Sequence, residues 1–210
     1  MTIYSLKLKG RNRILQNVMA IPIISSVSSF FLDLVETLVI GISLFLVIYL
    51  FFMQPHQVSG QSMEPTLMNY DYVLTDKISY KVGKPERGDI VVIHAPEAAN
   101  CPTGTGCDFI KRMIGLPGDT VELKNNGISV NGVQLEEPYI ADDVMTLPGN
   151  YTRDRVVTLG QDQYFVVGDN RMHSSDSRAW GPITRDDIVG RAFFRYWPAK
   201  SIQVLQHASY

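Results

Sequence analysis

The feature that most restricts this chain is the run at residues 37–58, TLVIGISLFLVIYLFFMQPHQV, which holds no Asp, Glu, Lys or Arg. Wound into a helix, its residues 37–53 would span about 26 Å, close to the hydrocarbon thickness of a bilayer. A buried helix in a soluble core normally carries a polar stripe, and Gly41 and Ser43 do not make one. The run predicts a single membrane-spanning segment.

Lys7, Lys9, Arg11 and Arg13 precede it, with no acidic residue before Asp33. The positive-inside rule then keeps residues 1–36 in the cytoplasm, makes 37–58 the transmembrane anchor and sends 59–210 across the membrane. Residues 17–31 are mildly apolar, but Pro22 and four serines make them a poor second span, better suited to lying along the surface. The long run begins too far into the chain for a removable leader, and no A-x-A-like site follows it, so it is read as a retained anchor.

The exported part has room for one domain of about 150 residues. Of 19 basic and 21 acidic residues, four and two fall before residue 37, which leaves the remainder at net −4. Without a clustered basic surface, nucleic acid is not an expected partner. Short β-type runs separated by turns fill this part: 71–75, 89–93, 120–123, 128–130, 133–135, 164–167 and 189–196. Asn131-Gly132 between two of them signals a type I′ hairpin. Residues 138–155 read as a polar surface excursion or β-extension. The fold class expected is mainly β, a single-pass N-terminal membrane anchor followed by an all-β domain. Cys101 and Cys107 are the only cysteines. They suit a small disulfide loop in an oxidising compartment better than a zinc site with His94, which would lack a fourth ligand.

Three segments carry potential chemistry. In VSGQSMEPTL, Gly60 and Pro65 frame Ser62, with Met63 and Leu67 beside it. In DFIKRMIGLPGDT, Lys111 lies among Phe109, Ile110, Met113 and Ile114, surroundings that strip water from an ammonium group and lower its pKa. A neutral amine of that kind can take the proton of a serine hydroxyl. The third segment, GDNRMHSSDSRAWG, gathers Asp169, Asn170, Ser174, Asp176 and Arg178 into a polar loop able to brace a site. Each has a bland reading too: a turn serine, a surface lysine, a long polar turn.

In order and spacing, SGQSMEPTL, RGDIVVIHAPE, DFIKRMIGLPGD and GDNRMHSSDSRAWGPI resemble the successive boxes of type I signal peptidases, sampling most of residues 59–183. The resemblance implies an all-β signal-peptidase-like catalytic domain and a serine/lysine endopeptidase that removes signal peptides from exported preproteins at the plasma (inner) membrane. Carried over by position, Ser62 is the nucleophile and Lys111 the general base. Ser174 orients the lysine amine, Asp176 and Arg178 form a supporting ion pair, and Asp169 with Asn170 shapes the site. The Ser62 N–H is one oxyanion donor. Gly60 stands where some members place a serine hydroxyl, leaving the backbone there, or water, to complete the oxyanion site. Val58, Met63, Leu67 and Ile110 are expected to wall shallow pockets for the small residues of an A-x-A cleavage site. No metal or organic cofactor is implied; the partners are preproteins and the lipid bilayer.

Among the rivals, a histidine-dependent hydrolase built on His94 or His173 lacks the G-x-S-x-G elbow. A self-cleaving repressor would carry a DNA-binding helix-turn-helix in place of the anchor. A peptidase dedicated to one pilin would share the chemistry, and a catalytically dead interaction module would have no use for both Ser62 and Lys111.

Overall fold

The computed structural model describes residues 28–49, 52–99, 101, 107–141, 143–208 and 210. The four N-terminal cations and residues 17–27 lie outside that set. The chain divides into two units, Met1–Tyr49 and Leu50–Tyr210.

In the first, helix α1 (Ser28–Tyr49) is 22 residues long, about 33 Å, and apolar enough to cross a membrane. Its side chains are exposed throughout. The helix is shifted towards the N-terminus relative to the 37–58 expected. Ser28 to Phe31 belong to it, and a strand takes over before the run ends. Met53–Gln57 is strand β1, paired with β2 (Tyr72–Asp76) from Met53↔Asp76 to Gln57↔Tyr72. Pro55 explains part of this. It cannot donate to a helix, but it fits an edge strand.

The second unit is mainly β, as expected. Its larger, eight-stranded sheet runs β1-β2-β11-β3-β4-β9-β10, with β12 added to β11. The further strands are β3 (Ile90–His94), β4 (Asp108–Gly115), β9 (Gln163–Val167), β10 (Ile183–Thr184), β11 (Ile188–Trp197) and β12 (Gln203–Val204). Every pairing is antiparallel. Three strands separate β1 from β4 in this order, yet His56 on β1 reaches within 3.7 Å of Asp108 on β4. The sheet is therefore curled, a half-barrel. Val58, Met63, Leu67, Val73, Ile90, Val92 and Ala192 fill one core, with Ile110 packed on it.

A four-stranded sheet, β7-β6-β5-β8, extends from the end of β4. Its strands are β5 (Thr120–Lys124), β6 (Gly127–Val130), β7 (Val133–Gln134) and β8 (Val157–Thr158). Asn131 and Gly132 both have positive φ, and Val130 faces Val133 across the turn, which is the expected type I′ geometry. Residues 138–155 leave this sheet as an irregular excursion. Cys101 and Cys107 are joined by a disulfide, and among the described residues no group of three or more ligating side chains could hold a metal.

Candidate active site

Ser62 sits in a tight turn immediately after β1. The turn is closed by Glu64 N–H on the Gln61 carbonyl (3.1 Å) and Leu67 N–H on that of Met63 (2.9 Å). Met63 and Leu67 drive it into the core, at 1% and 0% exposure. Gly60 has φ of +102°, a backbone most residues resist, and its N–H is donated to Asn69 Oδ1. The Ser62 carbonyl accepts the Asn170 N–H at 3.0 Å, so the turn is tied to the 168–178 loop.

Lys111 lies in β4, opposite Val91. The strand is held on one side by β3 and on the other by β9, and the lysine is only 3% exposed. Its Nζ is 2.9 Å from Ser62 Oγ and 3.0 Å from the Ile110 carbonyl. The Phe109 ring lies 4.9 Å away. Burial pulls the lysine pKa down to about 8, against the opposing pull of Asp176 and Asp169; Arg178 pushes it down further. Such an amine exchanges a proton readily near neutral pH.

The 168–178 loop is braced from several sides. Asp169 accepts Arg112 Nε at 2.8 Å and a second guanidinium nitrogen at 2.6 Å, and also takes the Thr66 hydroxyl at 2.5 Å. Asp176 caps the short helix α2 (Ser177–Trp180), accepts the Gly168 N–H at 3.1 Å and holds Arg178 at two contacts of 2.8 Å. Gly168 has no room for a side chain. A Cβ there would run into both Ser174 Oγ and the Ser62 carbonyl.

The structure thus brings together Ser62, Lys111, Asp169, Asn170, Ser174, Asp176 and Arg178. Ser174 differs from expectation in one respect: its hydroxyl is buried without a hydrogen-bond partner, and it is the Ile110 carbonyl that anchors the lysine amine. Val58, Met63 and Leu67, expected as pocket walls, are 5%, 1% and 0% exposed and belong to one hydrophobic core. Ile110 alone of the four keeps some surface. His94 is bound to Asp108 at 2.7 Å, with a side chain 65% exposed.

Sequence reasoning missed three supports. Arg112, next to Lys111 in β4, is fully buried against Asp169. Arg171 is clamped by Glu137 at 2.6 and 2.7 Å and by Thr146 at 2.6 Å, linking the excursion to the loop. Tyr139 covers Arg112, its ring 3.8 Å from the guanidinium carbon. The one signal available was the density of arginine and carboxylate pairs in a domain of low charge.

A model of the family described as "Signal peptidase, peptidase S26" matches residues 31–197. The chain is 40% identical over 174 residues to a probable signal peptidase I-2 of Synechocystis sp., covering 83% of this chain and 77% of that protein. It is 35% identical over 181 residues to signal peptidase IB of Staphylococcus aureus, covering 80% and 90% respectively. A crystal structure of a signal peptidase I from Enterococcus faecalis aligns with a TM-score of 0.42 at 31% identity, over 51% of this chain and 96% of that one. The matched span runs from α1 through the Ser62 turn, the lysine strand and the braced loop to the end of β11, and the chain belongs to the signal peptidase family of serine peptidases, peptidase S26.

Proposed function

We propose that this signal peptidase is a membrane-bound endopeptidase that cuts signal peptides from exported preproteins after A-x-A-like sites, with Ser62 and Lys111 as its catalytic dyad. The observation that carries the reading is the 2.9 Å contact between a hydroxyl and a buried amine whose pKa burial draws down to about 8. Neutral Lys111 takes the Ser62 proton as Oγ attacks the scissile carbonyl. The Ser62 N–H steadies the oxyanion, with the backbone near Gly60 or water as the second donor. Lys111 then gives its proton to the leaving amine, and water repeats the cycle on the acyl-enzyme. With Ser62 acylated, the amine needs a new partner, and the unpaired Ser174 hydroxyl is the group assigned to it. The Asp176–Arg178 pair and the Asp169–Asn170 turn hold these groups in register.

In the same reading α1 crosses the membrane once, residues before it remain cytoplasmic, and the β unit stands on the extracytoplasmic side. The full chain in detergent should therefore process a preprotein with an A-x-A site. Ser62→Ala and Lys111→Ala should each abolish cleavage and remain folded, whereas His94→Ala and His173→Ala should keep most activity. Loss of activity in His94→Ala equal to that in Ser62→Ala would sink the lysine assignment.

A further inference from the structure

Beside the braced loop lies a cleft of about 250 Å³ that the dyad does not use. Ser174, Asp176 and Arg178 form its polar side and Leu147, Pro148 and Met172 belong to its apolar side. Leu147 and Met172 are 47% and 65% exposed, large apolar side chains left open to solvent at the rim. The two charges nearest the polar side cancel, since Asp176 and Arg178 hold one another at 2.8 Å.

Two observations connect this cleft to the reaction. Ser174 Oγ and the Ser62 carbonyl crowd onto the same point above Gly168, so the wall of the cleft abuts the nucleophile's backbone. Asp176 and Arg178, which line it, are also among the few charges that Lys111 feels. The cleft and the amine thus share the Asp176–Arg178 pair as electrostatic neighbours. Chemistry then assigns its occupant. Lys111 must hand a proton to the departing nitrogen, so the residues attached to that nitrogen leave on the lysine side.

We propose that this cleft receives the first two residues of the released chain, those that carry the new amino terminus, and that Leu147 and Met172 set which side chains are accepted there. The assignment rests on the serine/lysine reading above. The apolar rim and the cancelled charges favour small or uncharged side chains, because a charged one would lose water without gaining a partner.

The test uses the full chain in detergent and preproteins that differ only in the second residue after the cut, Lys, Ala or Glu. Met172→Asp should raise the ratio of kcat/KM for Lys over Glu about threefold or more, and Met172→Lys should lower it by a similar factor. Leu147→Asp and Leu147→Lys should repeat the two signs, and preferences at the first and third positions before the cut should stay as in the wild type. All four substitutions fall at two exposed positions, Leu147 and Met172, outside the core. Ratios unchanged in both pairs, or changes confined to the residues before the cut, would overturn the inference while leaving the dyad intact. Failure of the wild type to process any preprotein would instead overturn the proposed function, and this inference with it.

Discussion

Replacing Lys111 by methionine removes the amine but keeps most of the side-chain volume, which separates what the residue does for catalysis from what it costs the fold. Burial lowers the amine's pKa from 10.5 to about 8. At 1.36 kcal/mol per unit, holding the charged form in place at neutral pH costs the native state about 3 kcal/mol. Methionine removes that cost and forfeits the contacts to Ser62 Oγ and the Ile110 carbonyl, worth about 1 kcal/mol each. The net expectation is a gain of about 1 kcal/mol at pH 7, or about 2–4 °C in Tm for a domain of this size, together with complete loss of cleavage. The sign with pH follows from linkage. Between about pH 10.4 and 8 the unfolded lysine binds its proton while the folded one does not, so wild-type stability falls as pH falls through that window and is level below it. The advantage of Lys111→Met is therefore full below pH 8, shrinks as pH rises, reverses near about pH 9, and above about pH 10.5 leaves only the lost hydrogen bonds. Thermal unfolding of both proteins in detergent from pH 7 to 10, followed by circular dichroism, measures this. A methionine variant less stable at pH 7, or a difference that does not change with pH, would refute the claim that the amine is desolvated.

Ser174→Ala should lower kcat several-fold with KM nearly unchanged and should let acyl-enzyme accumulate in single-turnover experiments, since the hydroxyl is assigned to the step after Ser62 is acylated. Protease added outside sealed, right-side-out vesicles should digest the chain beyond α1, and non-reducing peptide mapping should recover Cys101 linked to Cys107; a β unit shielded from that protease would overturn the membrane orientation.

The strands were legible because their signals are local. Alternation and turn residues placed the ends of seven of them within one residue, and Asn131-Gly132 announced its own turn. The end of the apolar helix was not. Met53 to Gln57 is as free of Asp, Glu, Lys and Arg as residues 37–49 of the helix, and only pairing with β2, a contact between residues 15 to 23 positions apart, makes it a strand. The same limit applied at the site. Ser62 and Lys111 were recognisable as an ordered pair of motifs, but which neighbours face solvent depends on the curl of the sheet, and Met63 and Leu67 turned inward. Arg171 and Glu137 stand 34 residues apart, and no spacing rule joins them.

The buried charges favour the lysine, and not another cation, as the proposed base. Among the described residues five basic side chains are buried: Lys111, Arg112, Arg171, Arg178 and Arg195. Each arginine has its own carboxylate, respectively Asp169, Glu137, Asp176 and Asp71 at 2.6 to 2.8 Å. Lys111 meets only a hydroxyl and a carbonyl. The two carboxylates that would stabilise its charge, Asp176 and Asp169, are already claimed by Arg178 and Arg112. A guanidinium stays protonated under all working conditions, so these pairs are permanent and the lysine alone is left to titrate. Arg178→Gln tests this, because it frees Asp176 beside the amine and removes a cation that holds the lysine pKa down. The rising limb of kcat/KM, expected near pH 8 in the wild type, should move up by about one unit, so that activity lost at pH 7 returns at pH 9 to 10. An unpaired buried carboxylate can also destabilise a fold by about 3–5 kcal/mol, so the double variant Asp176→Asn/Arg178→Gln, which removes both charges, serves as the control and should bring the limb back down. If both variants lose the same fraction of activity at every pH, Arg178 is only a brace for the loop, and the neutral state of Lys111 must be owed to burial alone.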